Sequence, residues 1–502
     1  MDPDEKTPAK FYSIFKVHKE HQAPKTPPLR PIISGSGSIT ENLGVFVEHH
    51  IKETSTKHKS YLQDTPHLLR VLDKINRGPK LPPNTILATV DIISAYQNIP
   101  QDDGIQCLEE ALENRQIKEV PSEYLAKVMD LIQRHNIFEF HENLYKQLIG
   151  CAMGIHPAPS YANTYLARRI DVKIEDLARK YEQSGQGSLK MFKRFLDDIL
   201  KLFIGSTKNL HKFFDEMNEL HPTLKFTMIH TTLNGESEEE KCRCENRNSI
   251  PYLDTQISIE NGKLEIDLYK KPTDRNQYLL PSSCHPKETT KNLPFSCALR
   301  IVRICTKNGQ RDLRLNELKQ LLIRRQYNEA LIDRAIEKAQ KIPRKYAIKK
   351  VNRKSSNKRP VFATKFDPRL PNIPNIQSKH WRSMKISDQH LAEIFPEPPM
   401  TGFRKQRNLQ SFLIKSKVPK APDKYQKRQL NGMMKCGNSC PTCPFIKEGK
   451  EVNLNNNSKW KINGKFTCET SNCIYMIECK QDKCKQPYIG QTKTTEEKNS
   501  RP

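Results

Sequence analysis

Apolar and polar residues follow two different periods in the first 270 residues, which predicts a mixed α and β domain. Short apolar runs bounded by turn residues predict strands, whereas apolar residues at three- and four-residue steps predict helices. The predicted strands are TILATVDI (85–92), FKRFLDDILKLF (192–203), PYLDTQISI (251–259) and KLEIDLY (263–269). The predicted helices are 102–115, 121–135, 158–182 and 207–220, and a basic helical stretch follows at 310–340.

The composition changes twice in the second half of the chain. Residues 341–430 are rich in Pro, Lys and Arg, with 23 basic and 5 acidic residues, a net charge of +18. This composition is typical of a linker or of a nucleic-acid-binding arm, and a merely solvated charge run is the alternative. The last part of the chain, from residue 431, contains seven of the 14 cysteines and predicts a separate small module.

The overall charge indicates the class of partner. The 502 residues, enough for two to four domains, contain 84 basic and 57 acidic residues, a net charge of +27. This excess favours nucleic acid as the partner and an anionic membrane only second. The longest stretch without formal charge, QLIGCAMGIHPAPSYANTYLA, would span a bilayer poorly, so we expect no membrane partner. No secretory signal precedes the domain, so the cysteines are expected to be reduced thiols or metal ligands in an intracellular protein.

Two adjacent carboxylates, Asp197 and Asp198, interrupt an apolar run. Their mutual repulsion is about 4 kcal/mol at 4 Å and an effective dielectric near 20. A hairpin turn is the simplest explanation of such a pair, and Asp102–Asp103 reads as an ordinary helix start. Asp91, however, ends another apolar strand of the same domain. Carboxylates from separate strands are what a two-metal phosphoryl transferase requires, so the sequence suggests a site for two cations.

Three further groups of residues accompany the carboxylates. Tyr96 follows Asp91 by five positions and offers a planar group to a nucleotide sugar. Gly150 and Gly154 precede a helix starting near Pro157, which allows close backbone approach to a ligand or is an ordinary loop. Lys16, Lys19 and Arg30 come before this region, and such side chains are suited to hold a triphosphate.

The order of these motifs resembles the reverse transcriptases, and more narrowly the enzymes of Penelope-like retroelements. The matching stretches, which cover most of residues 10–310, are KVHKE, PLRPIISGSGS, DIISAYQNIP, GCAMGIHPAPSYAN, FKRFLDDIL, HPTLKFT, IPYLDTQI, LYKKPTDRNQYL and SSCHPKETTKNLPFSCALRIVRIC. The resemblance implies an α+β right-hand polymerase with fingers, a palm of mixed sheet with a catalytic hairpin, and a helical thumb. Fingers and palm would occupy 1–270, the thumb 271–344, the basic arm 345–430 and the Cys-rich module 431–502.

The resemblance also implies roles for individual residues. Asp91, Asp197 and Asp198 would hold two Mg²⁺ or Mn²⁺ ions. The expected nucleotide-binding residues are Lys16, Arg30, Tyr96 and Gly154, with Tyr96 as the gate against a ribose 2′-hydroxyl. Lys225 in HPTLKFT would protonate the leaving pyrophosphate. One departure is Phe195, where many reverse transcriptases have Tyr, and it is expected to alter packing near the primer but not the metal site.

The Cys-rich tail suggests a structural metal and a second resemblance. Cys436, Cys440 and Cys443 have the spacing of zinc ligands, and we take Cys468 as the fourth, although the spacing also allows Cys473, Cys479 or Cys484. Tyr475 and the Tyr488-Ile489-Gly490 stretch resemble the two halves of a GIY-YIG endonuclease motif. The twelve residues after Gly490 contain no counterpart of that family's helix arginine and metal-binding glutamate, so we expect no endonuclease activity.

These observations predict an RNA-directed DNA polymerase of a retrotransposon, with an RNA template, a DNA primer or target, and deoxynucleoside triphosphates as partners. A nuclear location is expected. A polymerase that copies DNA is the alternative among enzymes. A non-catalytic nucleic-acid-binding remnant is the alternative of another class, because both ends of the sequence look incomplete. The sequence does not indicate the oligomeric state.

Overall fold

The computed structural model divides the chain into two compact units, Met1–Ser416 and Lys417–Pro502. It describes residues 7–15, 28–116, 118–141, 143–232, 247–349, 359–404, 431–436, 440–453, 459–462, 464–468, 470, 473–479 and 487–492. The first unit contains the predicted α and β domain, and the second contains the Cys-rich module.

A four-stranded antiparallel sheet, called here the central sheet, organises the first unit. Its strands are β6 (Ser188–Phe195), β7 (Asp198–Ile204), β3 (Thr85–Ile92) and β8 (Phe226–His230), in that order. Ile86, Ala88 and Val90 of β3 pack into one core, whereas Leu87 packs into a second core on the opposite face. Because both faces of the sheet are covered, its strands are nearly continuous apolar runs in the sequence. This explains why the sequence pattern predicted both ends of β3 correctly.

Helices cover one face of the central sheet, and a small sheet with further helices covers the other. The helices that contribute to the first core are α1 (Glu41–Thr56), α4 (Gln101–Glu113), α5 (Ser122–Arg134), α6 (Ala158–Leu166), α7 (Val172–Gln183) and α8 (Thr207–Glu219). The second core contains residues of α2 (Thr65–Asn76), β9 (Ser249–Tyr252), β10 (Thr255–Glu260), β11 (Lys263–Leu268), α9 (Lys287–Ile304), α10 (Asn308–Arg324) and α11 (Glu329–Gln340). Two short helices, α3 (Ala95–Asn98) and α12 (Arg344–Ala347), complete this part.

A second four-stranded sheet, the N-terminal sheet, has the order β2-β1-β4-β5. Its strands are β1 (Ala9–Phe15), β2 (Leu29–Ser34), β4 (Ile137–Phe140) and β5 (Asn143–Lys146). The loop before α6 joins this sheet through a hydrogen bond from the Ile33 amide to the Met153 carbonyl at 2.8 Å. This bond connects the N-terminal sheet with the elements next to the central sheet.

The strand expected at 192–203 is two strands, β6 and β7, with Leu196 and Asp197 between them. Two other sequence predictions are also corrected by the structure. The helix expected at 158–182 is interrupted by a π-helical turn at Ala167–Asp171, which separates α6 from α7. The strand expected at 251–259 is two strands, β9 and β10, because Leu253 has a φ of +53° and reverses the chain. Apolar periodicity detects neither feature, since both depend on local backbone angles that tertiary contacts stabilise.

The basic region 345–430 contains regular structure within its described part. Strands β12 (Val361–Lys365) and β13 (Met400–Arg404) pair in parallel, with helices α13 (Ile373–Ser387) and α14 (Gln389–Ile394) between them. Parallel strands need such a crossover. The composition predicted only a linker or an arm, so this strand–helix–strand arrangement is a finding of the structure. Residues 405–430 lie outside the described part.

The second unit is built from short paired strands. They are β14 (Gly432–Met433), β15 (Glu451–Asn453), β16 (Lys459–Lys461), β17 (Lys465–Phe466), β18 (Ile474–Ile477) and β19 (Tyr488–Gln491). The pairs are β14 with β17, β15 with β16 and β18 with β19. Over the described residues of both units, no helix has the length and apolarity required to cross a membrane.

Candidate active site

Three carboxylates lie at one end of the central sheet. Asp91 on β3 is directly opposite Asp198 on β7, and Asp197 is in the turn that joins β6 to β7. Directly opposed residues of antiparallel strands project from the same face, with Cβ atoms about 5 Å apart. The backbone of Asp197 is also tied to β3, because its carbonyl accepts a hydrogen bond from the Ile92 amide at 3.1 Å. The structure therefore brings together the three acids that the sequence predicted as one site.

The electrostatics of this cluster show an excess of negative charge. The pKa of Asp198 is raised to about 6 by loss of surrounding water and by the negative charges of Asp197 and Asp91, while Lys271 acts in the opposite direction. Asp198 is exposed to solvent at this edge, and the two neighbouring negative charges disfavour its ionised form. A cation between the carboxylates would relieve this repulsion, so the donor set fits Mg²⁺ or Mn²⁺.

The turn that carries Asp197 is held at three successive carbonyl groups. The carbonyl of Leu196 accepts from Arg194 Nη1 at 2.9 Å, and that of Asp197 accepts from the Ile92 amide. The carbonyl of Asp198 accepts from the hydroxyl of Tyr252 at 3.0 Å. Each carbonyl thus has a donor from a different part of the fold: β6 itself, β3 and β9. This arrangement fixes the turn before any ligand binds.

Sequence reasoning did not assign a role to Arg194 or to the side chains around it. Arg194 is 1% exposed and forms a buried ion pair with Asp171, Nη2 to Oδ2 at 2.7 Å. The stretch KRFLDD contained an indication of this pair. An Arg within a buried strand needs a partner, because Arg is rarely fully buried unless it is paired. The partner could not be read from the sequence, since Asp171 lies 23 residues earlier in the π-helical turn.

Tyr96 and the glycine loop form one packed group beside the carboxylates. Tyr96 is half-buried on α3, and its carbonyl accepts from the Cys151 amide at 2.7 Å. Burial raises the pKa of Tyr96, the charge of Asp197 also raises it, and that of Arg30 lowers it. Both charged groups therefore lie within electrostatic reach of the phenol, and the nucleotide-binding role of Tyr96 stays a prediction.

The two glycines of this loop are required by close backbone contacts. Gly150 has a φ of +70°, and a Cβ there would lie 2.5 Å from the Gln97 carbonyl oxygen. Gly154 has a φ of +119°, and a Cβ there would lie 2.5 Å from the Ile33 carbonyl oxygen. These contacts join the loop to α3 and to the N-terminal sheet. The nucleotide-binding role of Gly154 stays a prediction.

The basic residues predicted for the site are placed as follows. Arg30 is exposed on β2, whereas Lys16 and Lys19 lie outside the described residues. The carbonyl of Lys225 accepts from the Ile93 amide at 2.8 Å, so its backbone lies beside the strand end that carries Asp91. Its amine donates to the carbonyls of Asn218 at 2.8 Å and His221 at 3.4 Å. A catalytic role for Lys225 thus requires a change of side-chain rotamer.

A second candidate site is a group of four thiols in the Cys-rich unit. The sulfur atoms of Cys436, Cys440, Cys443 and Cys468 all lie within 4.8 Å of one another, and four of their separations are 3.3–3.5 Å. A tetrahedral zinc ion with Zn–S bonds of about 2.3 Å needs sulfur separations of about 3.8 Å, so the group fits zinc after a small expansion. Cys468 is the fourth member of the group, as the sequence analysis had taken it to be.

We predict that Cys440→Ser removes zinc from this group. Three thiolates hold the ion less well than four, so the zinc content of the purified chain should fall from about one ion to below about one fifth. Atomic absorption on wild type and mutant measures it. Cys479→Ser is the matched control, because Cys479 is exposed and outside the group. Retained zinc in Cys440→Ser, or zinc loss in Cys479→Ser, would contradict the assignment.

The two tyrosine-containing stretches near the C-terminus form a hairpin. Tyr475 is directly opposite Gly490, and the rings of Tyr475 and Tyr488 lie 6.4 Å apart between centroids. A Cβ at Gly490 would approach the Tyr475 hydroxyl to 2.6 Å, so the tyrosine ring would have to move if this glycine were replaced. The described residues pair the two stretches, and their resemblance to a GIY-YIG motif stays a prediction.

Comparisons with known proteins give one family match and several structural likenesses. Residues 277–337 match the family described as an animal helix-turn-helix domain, and no curated protein matches the chain. A telomerase from Candida albicans, solved with a fragment of telomeric RNA, has a TM-score of 0.45 at 11% identity, with 68% of this chain and 56% of that chain covered. An apo telomerase from Candida tropicalis has 0.39 at 12% identity, with 68% and 58% covered.

The RNA-dependent RNA polymerase of BmCPV at the elongation state has a TM-score of 0.36 at 12% identity, with 59% of this chain and 25% of that chain covered. The chain therefore spans little more than half the length of the telomerases. Since these TM-scores all lie below 0.5, the case for a function rests on the geometry of the carboxylates.

Proposed function

We propose that this protein is a nucleotidyltransferase that extends a DNA primer on an RNA template, as a retrotransposon reverse transcriptase does. The observation that carries the proposal is the group of Asp91, Asp197 and Asp198 on adjacent strands, with a raised pKa at Asp198. In this proposal the central sheet is the palm, the N-terminal sheet belongs to the fingers, and α9 to α11 form the thumb. The resemblance of the motifs to Penelope-like elements supports the same assignment.

The three carboxylates would hold two Mg²⁺ or Mn²⁺ ions. When bound, the ions lower the pKa of the primer 3′-hydroxyl and offset the negative charge that develops on the phosphoryl group. The chain's own residues orient the substrates. Tyr96 lies under the incoming sugar, Arg30 contacts the triphosphate, and Lys225 donates a proton to the leaving pyrophosphate after its amine leaves the Asn218 carbonyl.

The basic character of the chain supports nucleic-acid partners. The helices α9 to α11, which include most of the helix-turn-helix match, and the basic region 345–430 are proposed to contact the phosphate backbone. The four-cysteine group is proposed to hold a structural zinc ion. We also propose a nuclear location, where an enzyme of this kind would have access to chromosomal DNA.

Primer extension tests the proposed activity directly. Purified full chain is incubated with Mg²⁺, deoxynucleoside triphosphates and a labelled DNA primer on RNA or DNA templates of the same sequence. Extension on RNA supports reverse transcription. Extension on DNA alone would make the protein a DNA-templated polymerase. Binding of primer–template without any extension would favour a non-catalytic remnant and overturn the proposal.

We predict that Tyr96→Ala admits ribonucleotides. If the phenol ring excludes the 2′-hydroxyl by contact, a methyl group leaves room for it, and the preference for deoxynucleotides should fall by at least about tenfold. The ratio of kcat/KM for a deoxynucleotide and its ribonucleotide measures this preference. Tyr145→Ala is a control, since Tyr145 is an exposed tyrosine of the N-terminal sheet. An unchanged ratio in active Tyr96→Ala would make Tyr96 a packing residue.

A further inference from the structure

Arg194 lies three residues before Asp197, the first carboxylate of the turn, and it is buried with all of its N–H donors used. Its Nε and Nη2 donate to Asp171, with three N–O distances of 2.7–3.0 Å. Nη1 donates to Asn163 Oδ1 at 2.7 Å and to the Leu196 carbonyl at 2.9 Å, and Nη2 also reaches the Asn163 carbonyl at 3.3 Å. A guanidinium has five N–H donors, and each has an acceptor here.

We propose that Arg194, anchored by Asp171, is a positioning residue that sets the turn carrying Asp197 and Asp198 and thereby the spacing of the metal-binding carboxylates. This inference rests on the proposed function. Arg194 has no role in substrate contact here, since protein groups already accept all five of its N–H donors. Its effect passes through the Leu196 carbonyl.

The anchor of Arg194 is built from elements outside the hairpin. Asn163 belongs to α6, and Asp171 ends the π-helical turn. Asp171 also accepts from the Ser60 hydroxyl at 2.5 Å, and the Arg194 amide donates to the Ser60 carbonyl at 2.8 Å. Through these hydrogen bonds, Arg194 holds the tip of the hairpin in a fixed position relative to α6 and to the segment before α2.

The turn needs such a support because its backbone is strained. Leu196 has a φ of +54°, a region that residues with large side chains seldom occupy. Two residues, Leu196 and Asp197, join β6 to β7, since Phe195 is already paired with Asp198. A strained conformation persists where surrounding contacts determine it, and the bond from Arg194 holds the peptide between Leu196 and Asp197.

Stability alone does not explain a buried ion pair at this place. A buried Arg–Asp pair loses much of its attraction to desolvation, and apolar residues of similar volume often replace such a pair without loss of stability. What an apolar pair cannot supply is a donor to the Leu196 carbonyl. The positioning role and a merely structural role therefore predict different results when the pair is replaced.

The experiment uses the full chain and two variants of the pair. Arg194→Lys keeps the charge, but one amine cannot replace the fork that bonds Asp171, Asn163 and Leu196 together. The double variant Arg194→Met with Asp171→Leu replaces the pair by apolar side chains and guards against a folding defect. Arg169→Lys is the matched control, because Arg169 lies in the same π-helical turn as Asp171 but forms its ion pairs with Asp103 at 2.9 Å and Glu110 at 3.0 Å on α4.

Two quantities are measured beside the melting temperature. One is the affinity for Mn²⁺, measured by calorimetry. Only the Mn²⁺ binding that disappears in the Asp197→Asn variant is assigned to the carboxylate group. The other is the Mg²⁺ concentration that gives half-maximal primer extension. Both Arg194 variants are expected to weaken Mn²⁺ binding and to raise the required Mg²⁺ concentration by about tenfold or more. Arg169→Lys is expected to leave both as in wild type, because Arg169 makes no hydrogen bond to the hairpin among the described residues.

The outcomes separate this inference from the proposed function. Wild type that neither extends a primer nor shows Mn²⁺ binding dependent on Asp197 overturns the proposed function and the inference with it. If the wild-type protein extends a primer and binds Mn²⁺ through Asp197, but a folded Arg194 variant binds Mn²⁺ with the same affinity, then the inference alone is overturned. Equal weakening in Arg169→Lys would also overturn it, because the effect would then be general.

Discussion

Asp197→Asn is expected to lower primer extension by at least about 10³-fold while the protein stays folded and binds primer–template. The substitution replaces a carboxylate oxygen by an amide nitrogen, which cannot ligate a divalent cation. It also removes one of the like charges that raise the pKa of Asp198. Thermal stability should therefore not fall, and both the melting temperature and the extension rate are to be measured.

Asp102→Asn is the matched control for this prediction. Asp102 also belongs to an Asp–Asp pair, but it starts α4 and its side chain is 87% exposed beside Arg134. Its substitution should leave extension within about twofold of wild type, because surface ion pairs contribute little. Extension by Asp197→Asn within tenfold of wild type would mean that the carboxylate group is not a two-metal site.

Lys201→Met is expected to stabilise the protein at neutral pH. Lys201 on β7 is fully buried, and its amine has no hydrogen-bond partner among the described residues. The Lys201 amine lies 4.9 Å from the ring centroid of Phe213 and 5.9 Å from that of Phe214. Burial lowers the pKa of Lys201 to about 7 from the ordinary 10.5. Methionine has a similar length and no amine to desolvate.

The sign of the pH dependence follows from proton counts. Between pH 7 and pH 10.5 the unfolded chain keeps the Lys201 proton, whereas the folded chain has lost it, so the free energy of unfolding rises with pH in this window. Below pH 7 both states are protonated and the contribution becomes constant. The advantage of Lys201→Met should therefore be about 4 kcal/mol at pH 7 and about half of that at pH 9.

Urea unfolding of wild type and mutant at pH 7, 8 and 9 measures this difference. Lys208→Met is the control, because Lys208 is exposed on α8 and keeps its water in both states. A free-energy difference between wild type and Lys201→Met that does not shrink as the pH rises would show that Lys201 is charged in the folded protein.

Strand β3 and the residues of the carboxylate group could be predicted from the sequence alone. Asp91 and the Asp197–Asp198 pair stand within or at the end of short apolar runs bounded by turn residues, which favour buried strands. Three of the four thiols were also predictable, because the short spacing of Cys436, Cys440 and Cys443 limits their geometry, whereas the sequence left several cysteines open as the fourth. These features depend on local pattern, which a sequence displays directly.

Contacts between residues that are distant in the chain could be identified only in the folded structure. The pairing of Arg194 with Asp171, and the donor that Tyr252 supplies to the Asp198 carbonyl, join positions separated by 23 and 54 residues. The strand–helix–strand arrangement in 359–404 was hidden because Lys, Arg and Pro dominate its composition. No local pattern encodes such contacts, since a buried polar group needs a partner but its own neighbours in sequence do not say which one.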